Sequence, residues 1–190
     1  MIRLFFAFWL LAVPAAAQNF TQLPAVADVV NVREGLELNV RVGPGTQFEA
    51  IGRLPRFERA LEVTAVTPSW ARINFGEGVG WVSRNFVVES PTPQGLSCFG
   101  NEPFWSADVV NDGIIWTTPE VRLEDPGATI LDGTAGRAMV MTLEGQTTTI
   151  LITEGQCSDG ASDRIYGLNA TAVLGRTGVV PGCCSVLPIR

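Results

Sequence analysis

The chain has 190 residues, enough for two small domains or one of medium size. Its 13 basic residues are all arginine and stand against 19 acidic ones, for a net charge of −6 and a pI near 4.7, which argues against nucleic acid or an anionic lipid surface as partner. Histidine is absent, so a Ser-His-Asp triad, a Cys-His pair and a His-ligated zinc cannot be built from this chain alone.

The N-terminus reads as an export signal over residues 1–17. Arg3 is a small positive region, Leu4–Val13 is an unbroken apolar run of ten residues, and Pro14 precedes Ala15-Ala16-Ala17. The run is too short to span a bilayer. Cleavage is expected after Ala17, with no cysteine there to take a lipid anchor, and it leaves a net charge of −7 with no membrane span. A periplasmic, oxidising location follows.

Residues 91–95, from Pro91 to Gly95, hold two prolines, a glycine and no apolar side chain, and read as a linker. All four cysteines follow it. Two domains are therefore expected, 23–90 and 96–190, and such a linker suggests that they move independently. Neither half shows a 3.6-residue apolar period. Short β-branched runs dominate instead, among them Val29–Val32, Leu61–Val66, Gly80–Val82, Ala138–Leu143 and Thr147–Thr153. The fold class is all-β.

In the first half, Leu38–Val42 alternates and ends in the Gly43-Pro44-Gly45 turn. Ile51–Leu54, Leu61–Val66, Trp70–Phe75 and Gly80–Val82 follow as further strands, the last two joined across Gly76-Glu77-Gly78. Five short strands in about 60 residues suit a small closed barrel. The succession LNVRVGPGTQFEAIGRLPRF, LEVTAVTPSWARI and GVGWVSRNFV resembles the bacterial SH3 (SH3b) domain over residues 26–89. One departure is Phe48, at a place where tyrosine is common. The resemblance implies a small barrel that binds rather than reacts, with peptidoglycan peptides or a wall-associated protein as partner. It places Asn39, Arg41, Phe48, Trp70 and Trp81 along a groove beside the glycine turn. Arg41 could pair with a stem-peptide carboxylate, while the two tryptophans could equally close the barrel core, and Asn39 and Arg41 could brace the turn.

In the second half, Cys98-Phe99-Gly100-Asn101-Glu102-Pro103-Phe104-Trp105 sets three aromatics around a polar turn. Ile114–Thr117, Thr129–Leu131 and Thr147–Thr153 are strands; then come Cys157-Ser158-Asp159-Gly160-Ala161-Ser162-Asp163 and Gly182-Cys183-Cys184. A disulfide-tied antiparallel β-barrel or sandwich is expected. The motifs resemble a bacterial envelope family marked by CxGxEPFW, CxDGxSD and a terminal GC, a resemblance that implies no activity.

Four cysteines in an exported chain point to two disulfides. A Cys183–Cys184 ring is geometrically poor. Of the two remaining connectivities, Cys157–Cys183 with Cys98–Cys184 is preferred. A four-cysteine zinc site lacks any C-x-x-C spacing, and a calcium site at Asp159 and Asp163 lacks the EF-hand spacing. No metal or cofactor is expected. Glu102, Asp159 and Asp163 are the acidic candidates inside motifs, and two of them brought close could hydrolyse a glycan; turn-forming and ion-pairing roles explain them more simply. Phe104 and Trp105 alternate, so one belongs to the core. Non-catalytic envelope binding is the leading reading. An inhibitor of wall-degrading enzymes, on fold analogy alone, and a carboxylate glycan hydrolase are the alternatives.

Overall fold

The computed structural model describes residues 20–91, 94–110, 113–174 and 178–188. The expected signal segment lies outside them. Strands account for almost all regular structure in these residues, with a single 3-10 turn at Arg84–Phe86.

The first sheet contains β1 (Ala25–Val29), β2 (Leu38–Arg41), β3 (Ala50–Leu54), β4 (Leu61–Val66), β5 (Trp70–Phe75), β6 (Gly78–Ser83) and β7 (Val87–Glu89). Their order is β3-β2-β6-β5-β4-β1-β7, antiparallel wherever neighbours pair. Leu38, Val40, Leu54, Val63, Ala71, Ile73, Val82 and Val87 point inward and are buried together, as a period of two requires. The five expected strands are joined by two more. The run expected at Val29–Val32 is a strand only over Ala25–Val29, because Asn31 takes φ 60° and turns the chain away.

The second sheet contains β8 (Gln94–Asn101), β9 (Phe104–Val110), β10 (Gly113–Thr117), β11 (Arg122–Asp125), β12 (Thr129–Gly133), β13 (Gly136–Leu143), β14 (Gln146–Cys157), β15 (Tyr166–Leu174) and β16 (Gly178–Pro188). The order β11-β10-β9-β8-β16-β15-β14-β13-β12 is two meanders joined where β8 pairs with β16. Only Pro126–Ala128 separate β11 from β12, so the sheet must curl until its two edges approach. The Thr142 N–H donates to the Asp125 carboxylate across that seam at 2.6 Å. The expected linker is shorter than 91–95. Gln94 and Gly95 already pair with Pro188 and Leu187 in the β8–β16 ladder.

Inside the curl lie Trp105, Trp116, Met139, Met141, Ile150, Ile152, Ala170 and Ala172. Trp105 stacks on Trp116 with ring centroids 5.3 Å apart and planes 12° from parallel. Its indole N–H donates to the Pro181 carbonyl at 3.2 Å. Alternation therefore resolves as expected, with Trp105 1% and Phe104 50% exposed. Gly100 and Gly182 make room for that indole: a Cβ on either would collide with the Trp105 ring and with a backbone oxygen, of Pro181 or Phe99 respectively. The disulfides are Cys98–Cys184 and Cys157–Cys183. Adjacent residues on β16 face opposite sides, so Cys184 is tied to neighbouring β8 inside the barrel and Cys183 to Cys157 outside it.

The halves touch over more than the connecting segment. Val26 of β1 belongs to the second core, and the Pro24 ring packs directly on Gly167. The Glu62 carboxylate of β4 is buried at the boundary. It accepts from the Val186 N–H of β16 at 3.0 Å and from Asn74 Nδ2 of β5 at 3.0 Å. The segment after Cys157 clasps the β5–β6 turn. Asp163 N–H donates to the Glu77 carbonyl, Arg164 Nε to the Gly76 carbonyl, and Ile165 N–H to Asn74 Oδ1. Arg72 reaches Gln156 Oε1 at 3.3 Å. Polar, directional contacts thus join halves that the linker composition suggests are independent.

Candidate functional site

Three cavities flank the described elements. The first-half groove encloses about 600 Å³ between the 31–37 loop and the outer face of β2 and β6. Asn39, Arg41 and Trp70 line it together with Arg33, Leu36 and Phe86. Trp70 is held at the start of β5 by Thr67, whose Oγ1 accepts the Trp70 N–H at 3.1 Å. Arg41 donates from Nη1 to the Phe48 carbonyl at 2.7 Å, bracing the glycine turn. The Phe48 ring lies against Gly43. Of the five expected groove residues, Phe48 and Trp81 do not line this cavity. Trp81 lies one step along the sheet, opposite Arg41 on one side and Arg72 on the other. Leu36 and Phe86 are wall residues the sequence reading missed. The SRNF run after Trp81 was the available signal, since an aromatic just past a strand end must pack somewhere.

A second cavity, about 660 Å³, opens at the domain boundary between Thr21–Pro24 and the β12–β13 hairpin. Its charged groups already have partners. Glu89 accepts from Thr21, Glu154 accepts from Gln22 Nε2, and Arg137 meets Asp132 at 2.8 Å.

The third cavity, about 650 Å³, joins the two second-half motifs across about 60 residues of sequence. Phe99–Glu102 of the β8–β9 hairpin form one wall, Cys157–Ala161 the other, and Asn169, Thr171 and Pro181 the floor. Asp159 organises its own loop. Its Oδ1 accepts the Ala161 and Ser162 N–H groups at 3.0 Å each, and Tyr166 OH reaches Oδ2 at 3.5 Å. Burial alone would raise its pKa, but the hydrogen bonds from Ser162 and Ala161 outweigh it and hold the carboxyl below the ordinary aspartate range. Asn101 Nδ2 donates to the Asp159 carbonyl at 2.8 Å and fixes one wall to the other. Asp163 contacts the first half through its N–H and does not line this cavity. Glycan hydrolysis needs one carboxyl to give a proton while the other attacks or activates water. Here Asp159 is committed to the loop and Asp163 lies outside the cavity, so Glu102 has no second free carboxylate beside it in the lining. Among the described residues no group of three or more Cys, Asp or Glu side chains could hold a metal ion, and no helix is long and apolar enough to cross a membrane.

Residues 36–88, which hold β2 to β6 and most of β7, match the family model described as bacterial SH3 domain. The chain is also similar to a Bacillus subtilis (strain 168) protein named "Putative N-acetylmuramoyl-L-alanine amidase YrvJ", 36% identical over 52 residues. That match spans 27% of this chain and 10% of the relative, so it concerns a small part of a much longer protein. No solved structure matches the chain significantly.

Proposed function

We propose that the protein is an exported, non-catalytic accessory protein of a bacterial envelope, whose SH3 domain holds peptidoglycan peptides or a wall-associated protein. The observation that carries this reading is the open groove of the matched domain, where Asn39, Arg41 and Trp70 converge on one cavity. Trp70 offers an aromatic wall and Arg33 and Arg41 offer guanidinium donors, a set suited to a short peptide that ends in a carboxylate. The likeness to a protein named for a wall amidase supports the same compartment. The two disulfides support it too, since such bonds persist in oxidising surroundings.

The test is co-sedimentation of Gln18–Arg190 with insoluble peptidoglycan at two salt concentrations, beside folded Trp70→Ala and Asn39→Ala variants. The reading expects the parent to sediment and both variants to stay in solution. Failure of the parent to sediment at low salt would refute peptidoglycan as the ligand and leave the wall-associated protein to a pull-down with the same variants; sedimentation untouched by both substitutions would refute the groove.

A further inference from the structure

We propose that the cavity between the β8–β9 hairpin and the Cys157–Ala161 loop is a binding site for a neutral saccharide. The inference extends the envelope role above but rests on different residues from the SH3 groove.

The first argument is polar supply without partners. The half-buried Asn169 side-chain amide lines the floor of this cavity with no hydrogen-bond partner among the described residues, and the Glu102 carboxylate, exposed at the tip of the hairpin, stands over it with no ion-pair or hydrogen-bond partner there either. Asn101 spends Nδ2 on the Asp159 carbonyl, which leaves its Oδ1 free to accept. Polar groups gathered in a concave site with unused valences fit a ligand that brings its own donors and acceptors. The boundary cavity differs on this point, because its charged groups already have partners: Thr21 for Glu89, Gln22 for Glu154, and Arg137 and Asp132 for each other.

The second argument is charge. No arginine or lysine lines the cavity, while Glu102 and Asp159 do. An anion would meet carboxylates without a counter-charge, so phosphates and carboxylate-bearing peptides are the wrong class. A hydroxyl-rich neutral ligand can donate to Glu102 and Asn101 Oδ1 and accept from the Asn169 amide at the same time. Phe99 contributes to the wall with its ring packed edge-on against Tyr166, centroids 5.0 Å apart, and Phe104, directly opposite Asn101 in the hairpin and outside the lining, is half exposed. Aromatic faces beside amides and a carboxylate suit a pyranose, which has an apolar face and a polar rim.

The third argument is preorganisation, which reduces the ordering cost of binding. Cys157–Cys183 anchors one wall, Asp159 fixes the loop backbone, and Asn101 ties wall to wall. The same loop continues into the Asp163–Ile165 clasp on the SH3 domain.

The test is calorimetric titration of Gln18–Arg190 with chitotetraose and with cellotetraose, and with ethanolamine and inorganic phosphate as controls. Saturable binding of at least one tetrasaccharide is expected. Glu102→Ala and Asn169→Ala should each weaken it about tenfold or more, while Trp70→Ala in the SH3 groove leaves it unchanged. Glu102→Gln, the more conservative change, should lose less than Glu102→Ala, and equal thermal midpoints would exclude misfolding. The proposal is overturned if neither sugar saturates the protein by about 10 mM. It is likewise overturned if ethanolamine or phosphate binds as tightly, if both cavity variants bind like the parent, or if Trp70→Ala abolishes binding. Peptidoglycan co-sedimentation reports on the groove separately, so failure of one reading leaves the other testable.

Discussion

Replacing Glu62 by leucine and by glutamine separates the two opposing contributions of one buried carboxylate. Burial pushes its pKa above the ordinary glutamate range, against the lowering effect of hydrogen bonds from Val186, Ser185 and Asn74. Leucine removes the acceptor. The buried Val186 N–H would then have no partner, at about 1–3 kcal/mol, and the half-buried Asn74 amide would lose another bond at a smaller cost. A net loss of about 2–4 kcal/mol corresponds to a midpoint about 5–12 °C lower for a chain of this size. Glutamine keeps an oxygen for Val186 and carries no charge into the boundary, so it should stay within about 1 kcal/mol of the parent. The two proteins must then diverge with pH. A carboxyl with a raised folded-state pKa contributes its full stability below the unfolded value and loses it as pH rises through the folded value. Urea denaturation of parent and Glu62→Gln between pH 4 and 8 should show the parent falling behind the variant as pH increases. Other titrating groups cancel in that difference. Parallel curves, or a Glu62→Leu protein as stable as the parent, would refute the account of the boundary.

Removing Cys157–Cys183 as a double serine variant opens a loop with a sequence separation of 26 and should cost about 3.5 kcal/mol in the chain-entropy account, read by thermal denaturation. The larger Cys98–Cys184 loop, with a separation of 86, should cost about 4.6 kcal/mol. Gly182→Ala drives a methyl group against the Phe99 carbonyl and Trp105, and should destabilise by about 1–3 kcal/mol with a change in tryptophan fluorescence. The Asp159 carboxyl sits below its ordinary range, so its support for the loop is present above the unfolded value and lost as pH falls through the folded one. Protection factors at Ala161 and Ser162, taken against the intrinsic exchange rate at each pH, should therefore fall below about pH 4, and Asp159→Ala should show that loss of protection already at neutral pH.

Strands were legible wherever one face was buried, because alternation in LEVTAV and WARINF records which side meets the core, whereas the apolar run in TTTILIT conceals that Leu151 is 49% exposed between the buried Ile150 and Ile152. The same rule sends Cys183 and Cys184 to opposite faces and so to different partners, but which of Cys98 and Cys157 each one meets is settled only by the packing. The contacts across the domain boundary were not legible. Glu62, Arg72 and Asn74 occupy the outward positions of their strands, where a polar residue reads as solvated, and their partners lie 84 to 124 residues away. Only three-dimensional packing tells a covered outer face from a wet one. The second-half motifs could be flagged by their composition, but Asn169 could not be joined to them: nothing in LNATAV indicates that its side chain faces Glu102 and Asp159 across a cavity.

The positions of the four sulfurs also constrain the order in which the second half can be completed. A chain threaded N-terminus first presents Cys98 and Cys157 well before Cys183 and Cys184 emerge. Both native partners arrive together, on the last strand. Until then the two early thiols have only each other, and a Cys98–Cys157 bond would have to be broken before β16 could settle between β8 and β15. Oxidation too early therefore delays the native form rather than hastening it, because a Cys98–Cys157 bond has to be exchanged, with no net change in oxidation state, before β16 can take its place.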